Sequence, residues 1–143
     1  DLAISVAQLI PEAELLVVTT PQAAAADVAA RAGSMAGQTR QNVIGVVENM
    51  SWLTPPDGSR LELFGTGGGQ AVAEKLTASL GYPVNVLAQI PLDVDVRTGG
   101  DTGAPASTST SQGEGVKALR ALAQTIAVKE RGLAGRRLNL NPI

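Results

Sequence analysis

Three short apolar runs, at residues 15–20, 43–47 and 84–90, constrain this chain more than any other feature. The first two, Leu-Leu-Val-Val-Thr-Thr and Val-Ile-Gly-Val-Val, are rich in β-branched residues and show no polar alternation. That is the pattern of a strand covered on both faces, as in a parallel sheet. The third is weaker, because Asn85 and Gln89 interrupt it. Stretches of helical length separate the runs. Strands alternating with helices predict an α/β fold with a parallel sheet.

The order expected is α-β-α-β-hairpin-α-β-loop-α. Asp1 can cap a first helix with Leu2, Val6, Leu9 and Ile10 as its apolar positions. Pro21 ends the first strand, and a helix over 22–38 follows, with Val28 and Met35 on its apolar face. Pro55, Pro56, Asp57 and Gly58 form a turn signal, with Leu61 to Phe64 as the return arm of a small hairpin. A helix over 70–80 ends at Gly81 and Pro83. Residues 98–115, rich in Gly, Ser and Thr, read as a mobile loop. Val116, Leu119, Leu122, Ala123 and Ile126 share one face of a last helix over 116–128. Residues 129–143 read as a basic, unstructured tail carrying Lys129, Arg131, Arg136 and Arg137.

Composition narrows the function. The 143 residues contain no cysteine and no histidine. This excludes a thiolate metal site, a disulfide scaffold, a Ser–His or Cys–His triad and a His-ligated zinc within the chain. Aromatics are 2%, so the core is built from Ala, Val, Leu and Ile. The acidic balance, net −2, gives no nucleic-acid footprint. No apolar run reaches membrane-spanning length and no signal peptide opens the chain, so a cytoplasmic location is expected. The chain begins with Asp1 rather than Met, which suggests processing or a fragment.

Ligands of open parallel sheets sit beyond the carboxyl ends of the strands. Three segments fall there: Thr19, Thr20, Pro21 and Gln22; Glu48, Asn49, Met50 and Ser51; and Ile90, Pro91, Leu92 and Asp93. The Asn49 amide offers a donor and an acceptor, the complement of an adenine edge, although a turn or cap asparagine fits equally well. Glycines 65, 67, 68 and 69 do not make a phosphate loop, because no Gly-Lys pair occurs in the chain. They read as a flexible turn before a helix. Asp93 and Asp95 could hold a divalent cation, but fit a cap after a strand better.

Taken in order, Val18-Thr19-Thr20-Pro21-Gln22, Val46-Val47-Glu48-Asn49-Met50-Ser51, Phe64-Gly65-Thr66-Gly67-Gly68-Gly69 and Ile90-Pro91-Leu92-Asp93 resemble the Mrp/ApbC family. Val96, Arg97, Gly100, Asp101, Gly103 and Pro105 continue the match. These are P-loop ATPases of the MinD-like group, described as iron–sulfur cluster carriers. The resemblance implies a three-layer P-loop NTPase-type sheet, of which residues 1–128 are the C-terminal part. Asp1 looks like the end of the family's Pro-Pro-Gly-Thr-Gly-Asp segment, which would place the P-loop upstream. The resemblance also implies that Asn49 contacts adenine and that Pro91, Leu92 and Asp93 pack on the other side of the base. Thr20, Pro21 and Gln22 would lie near the nucleotide and a homodimer interface.

For the full-length protein the resemblance implies ATP and Mg²⁺, ATP hydrolysis, and an iron–sulfur client or scaffold as partner. This chain alone, without a P-loop, is expected to be inactive. The family's Cys-Pro-x-Cys is replaced by Pro55-Pro56-Asp57-Gly58, so an iron–sulfur cluster finds no thiolate in this chain. A MinD/ParA-like partitioning ATPase and a non-enzymatic dimerisation module are the alternatives.

Overall fold

The computed structural model describes residues 2–105 and 108–134. Among the described residues the elements are α1 (Leu2–Leu9), β1 (Leu15–Thr19), α2 (Ala23–Thr39), β2 (Val43–Asn49), α3 (Gly68–Leu80), β3 (Val86–Ile90), α4 (Val94–Thr102) and α5 (Glu114–Ala134). The strands form one sheet in the order β1-β2-β3, and both pairings are parallel. Each strand reaches the next through a helical crossover, as parallel neighbours require.

Alternate strand residues feed two cores. Val17 and Val46 pack with Ala26, Ala29 and Ala36 of α2 and with Val72, Ala73 and Leu76 of α3. On the other face, Val47 and Ile90 pack with Leu122, Ala118 and Ile126 of α5. The result is three layers, the P-loop NTPase-type arrangement that the resemblance implies. A small hairpin projects after β2, closed by paired hydrogen bonds between Leu53 and Leu61. Its turn forms as expected, with the Gly58 N–H donating to the Pro55 carbonyl at 2.9 Å. The Arg60 guanidinium lies 3.9 Å from the centroid of the Trp52 ring.

Several local expectations need correction. Val18 is 60% exposed, because β1 is an edge strand here and only one of its faces is fully covered. Val28 is 67% exposed, so it does not lie on the buried face of α2. That face is Ala26, Ala29, Gly33 and Ala36, small residues that let α3 approach closely. Among the described side chains of α1 the buried one is Ala7, while Val6 and Leu9, and Ile10 just beyond the helix, are exposed.

Residues 98–115 are not a single mobile loop. Residues 98–102 belong to α4, which Gly103 ends in a left-handed conformation (φ 71°). The Arg120 guanidinium then ties down the carbonyls of Ser109 and Ser111. α5 runs past Val128 to Ala134. The expected Asp1 cap, Ala106 and residues 135–143 of the tail lie outside the described residues.

Candidate functional site

The register of the sheet brings the predicted segments to one edge. Thr19 pairs with Glu48 and Glu48 with Gln89, while Asn49 pairs with Ile90. Beyond this row the chain stays in line. The Ser51 N–H donates to the Ile90 carbonyl at 3.0 Å, and the Leu92 N–H to the Trp52 carbonyl at 2.8 Å. Pro91 is buried, and Leu92 and Asp93 are half-buried. Pro21 is buried and Thr20 half-buried, and the exposed Gln22 opens α2.

Asn49 is exposed at the end of β2. Its Oδ1 accepts the Met50 N–H at 2.9 Å, which fixes which way the amide faces. No hydrogen bond engages its Nδ2 among the described residues. Met50 takes φ 56°, a left-handed conformation unusual outside glycine. The turn is therefore held under strain by its neighbours.

Glu48 is the main neighbour, and the sequence did not single it out as a functional residue. It is 2% exposed at the end of an apolar strand. Its Oε2 accepts the Gly69 N–H at 2.7 Å. Its Oε1 accepts from the Gln89 Nε2 at 3.0 Å and lies 2.9 Å from the Ser51 hydroxyl. The same hydroxyl lies 3.0 Å from the Glu48 carbonyl. Gly67, the N-cap of α3, has no side chain to offer, so Glu48 caps the helix from the adjacent strand. This explains why the glycine run is no phosphate loop: a carboxylate of the chain itself already faces the first turn of α3. The signal available in the sequence was a glycine at the cap position of a helix that follows a strand ending in glutamate.

Asp93 is engaged by its own backbone. Its Oδ1 accepts the Asp95 N–H at 2.8 Å and caps α4. Its Oδ2 accepts the N–H groups of Gly115 (2.9 Å) and Val116 (3.3 Å) at the start of α5. The capping alternative thus describes this carboxylate. Among the described residues no group of three His, Cys, Asp or Glu side chains could hold a metal ion. With no cysteine in the sequence, the residues present do not fit an iron–sulfur cluster.

An apolar groove of about 500 Å³ runs between β1 and α2, lined by Leu15, Val17, Val18, Val28 and Ala29, with Thr20 and Asn49 on its wall. It covers the open side of β1. No helix among the described residues is long and apolar enough to cross a membrane.

Residues 1–127 match the ParA family, described as NUBPL iron-transfer P-loop NTPases. The iron–sulfur cluster carrier protein of Mycobacterium tuberculosis (strain H37Rv) is 56% identical over 142 residues, 99% of this chain and 37% of that protein. The protein of the same name from Deinococcus radiodurans is 41% identical over 89% of the chain and 34% of its own length. That of Synechocystis is 38% identical over 90% of the chain and 35% of its own length. The chain thus spans little more than a third of these relatives. Among solved structures, a nucleotide-binding protein from Archaeoglobus fulgidus in complex with ADP superimposes with a TM-score of 0.54 and 32% identity. That match covers 71% of this chain and 40% of the other.

Proposed function

This chain belongs to the ParA family of NUBPL-type iron-transfer P-loop NTPases, and from that premise we propose that it is the base-binding end of a nucleotide-binding domain. The full protein would use ATP with Mg²⁺ and hydrolyse it, and it would carry iron–sulfur clusters, the last being what the names of its relatives indicate for them. The observation that carries this reading is the Asn49 amide, oriented by the Met50 N–H and exposed where three parallel strands end. An amide so placed donates from Nδ2 and keeps one lone pair on Oδ1, which matches the N7 and N6 edge of adenine. Thr20 and Gln22 from the β1 end, and Pro91 and Leu92 from the β3 end, flank it. Asp93 serves this reading by holding α4 and α5 in place, through the three backbone groups it accepts.

The cluster enters as cargo. Without cysteine, this chain contributes no thiolate to it, and the ligands come from other parts of the protein or from its partners. In this reading the protein acts in the cytoplasm as a homodimer, with the Thr20–Pro21–Gln22 turn near the dimer contact.

The test is Asn49→Ala in the full-length protein, with ATP affinity measured by calorimetry. Loss of the amide contacts should weaken binding by about 1–3 kcal/mol. An unchanged affinity removes Asn49 from the base site.

A further inference from the structure

Glu48 is a charged side chain placed inside the molecule, and the proposed base site does not use it directly. Its carboxylate gathers donors from three places: Ser51 in the strand-end turn, Gln89 on β3 and Gly69 at the start of α3. Both Glu48 and Ser51 are almost fully buried, at 2% and 4% exposure. Between them stand Asn49 and Met50. Met50 is left-handed and is held from both sides, by Asn49 Oδ1 on one and on the other by the Ser51 hydroxyl, 2.9 Å from the Glu48 carboxylate and 3.0 Å from the Glu48 carbonyl. Without the clamp, the strained residue has reason to relax toward negative φ, and the Met50 N–H would swing away from Asn49 Oδ1.

We propose that Glu48 is the positioning residue of the nucleotide site: its buried carboxylate locks the Asn49–Met50–Ser51 turn so that the Asn49 amide faces the ligand in one orientation. The inference rests on the reading of Asn49 as the base contact. Its consequence is selectivity. A fixed amide favours adenine, which offers a donor beside N7, over guanine, which offers an acceptor there. A free amide can swing Oδ1 away from the guanine O6 while Nδ2 still donates to N7 or O6, so it discriminates less. Glu48 therefore sets base discrimination as well as affinity, although it touches no part of the nucleotide.

The experiment uses the full-length protein and measures ATP and GTP binding by calorimetry. Glu48→Gln keeps the shape but removes the negative charge that strengthens the hydrogen bonds from Ser51, Gln89 and Gly69. ATP affinity should fall on the order of tenfold, and the preference for ATP over GTP should narrow. The double variant Glu48→Gln with Gln89→Glu restores a carboxylate to the cluster. Its introduced glutamine can keep its oxygen on the Gly69 N–H and turn its nitrogen to the new acid, so ATP affinity and base preference should both recover. Wild-type binding by Glu48→Gln, or a folded double variant that fails to recover, overturns the proposal.

Asn49→Ala separates the two ideas. If it leaves ATP affinity unchanged, the base-site reading falls and this inference with it. If it weakens ATP binding while Glu48→Gln does not, only the role of Glu48 falls. Should Glu48→Gln not fold, Ser51→Ala decides. It removes one donor and leaves the carboxylate on Gly69 and Gln89. A drop in ATP preference supports the lock, and an unchanged preference overturns it.

Discussion

A methyl group added at Gly68 would lie 2.4 Å from the Thr20 carbonyl oxygen and 2.5 Å from that of Pro21. Both neighbours are backbone atoms of the turn after β1, so neither can swing aside. Gly68→Ala should therefore cost about 1–3 kcal/mol through overpacking, read as a lower midpoint in urea unfolding. Gly33 is similarly confined, but by the buried Leu76 side chain of α3. These residues show what a sequence displays poorly. The glycine run before α3 reads as a flexible turn, and its real requirement, close approach to two strand ends, depends on contacts remote in sequence. The exposed place of Asn49 at a strand end was legible, because a polar residue ends an apolar strand. Glu48, one residue earlier, was not, since its donors Gly69 and Gln89 lie 21 and 41 residues away. Asp93 was half legible: Asp95 is a local partner, while Gly115 is 22 residues away.

At the scale of elements, Asp93 joins α4 and α5 through one carboxylate. Asp93→Ala should lower stability by about 1–2 kcal/mol for each cap lost, seen as a lower thermal midpoint. α2 and α3 are linked on the surface by Lys75 and Asp27, 2.6 Å apart. The hydrogen bond and charge of Lys75 hold the exposed Asp27 carboxyl below its ordinary range. A depressed folded pKa means that the link is fully present above the ordinary carboxylate range and is lost as pH falls through the depressed value. NMR titration should show the Asp27 midpoint rising toward the ordinary value in Lys75→Met; an unmoved midpoint assigns the shift elsewhere. The strands and the crossover helices were readable from their unbroken and periodic patterns. α4 was not, because its sequence VDVRTGGDT has two glycines and none of its residues is buried. Its start is set by the Asp93 cap, which an apolar-period search does not see.

For the molecule as a whole, the informative feature is the open side of β1. Val18 is 60% exposed there beside the apolar groove, and the chain spans only 37% of its mycobacterial relative. In this 143-residue chain Val18→Asp should change stability by no more than about 0.5 kcal/mol, the range for surface positions. If the longer protein covers β1 with another strand, the same change should cost several times as much there, by comparison of unfolding midpoints. Equal costs in both would mean that β1 stays an edge. The sequence pattern of residues 15–20 anticipated cover on both faces. In the structure Val18 stays open, so the composition of the run did not report its surroundings here.

The carboxylate of Glu48 also bears on how the fold is reached. Ser51 is a local donor, but the other two belong to β3 and to the start of α3, and neither is in place until those parts have docked. Parallel pairings through helical crossovers form late, because long loops must close first. A near-native arrangement with one part misplaced leaves an anion stranded among apolar side chains, a costly state. That cost favours the arrangement that supplies the donors over collapsed forms that hydrophobic contacts alone would tolerate.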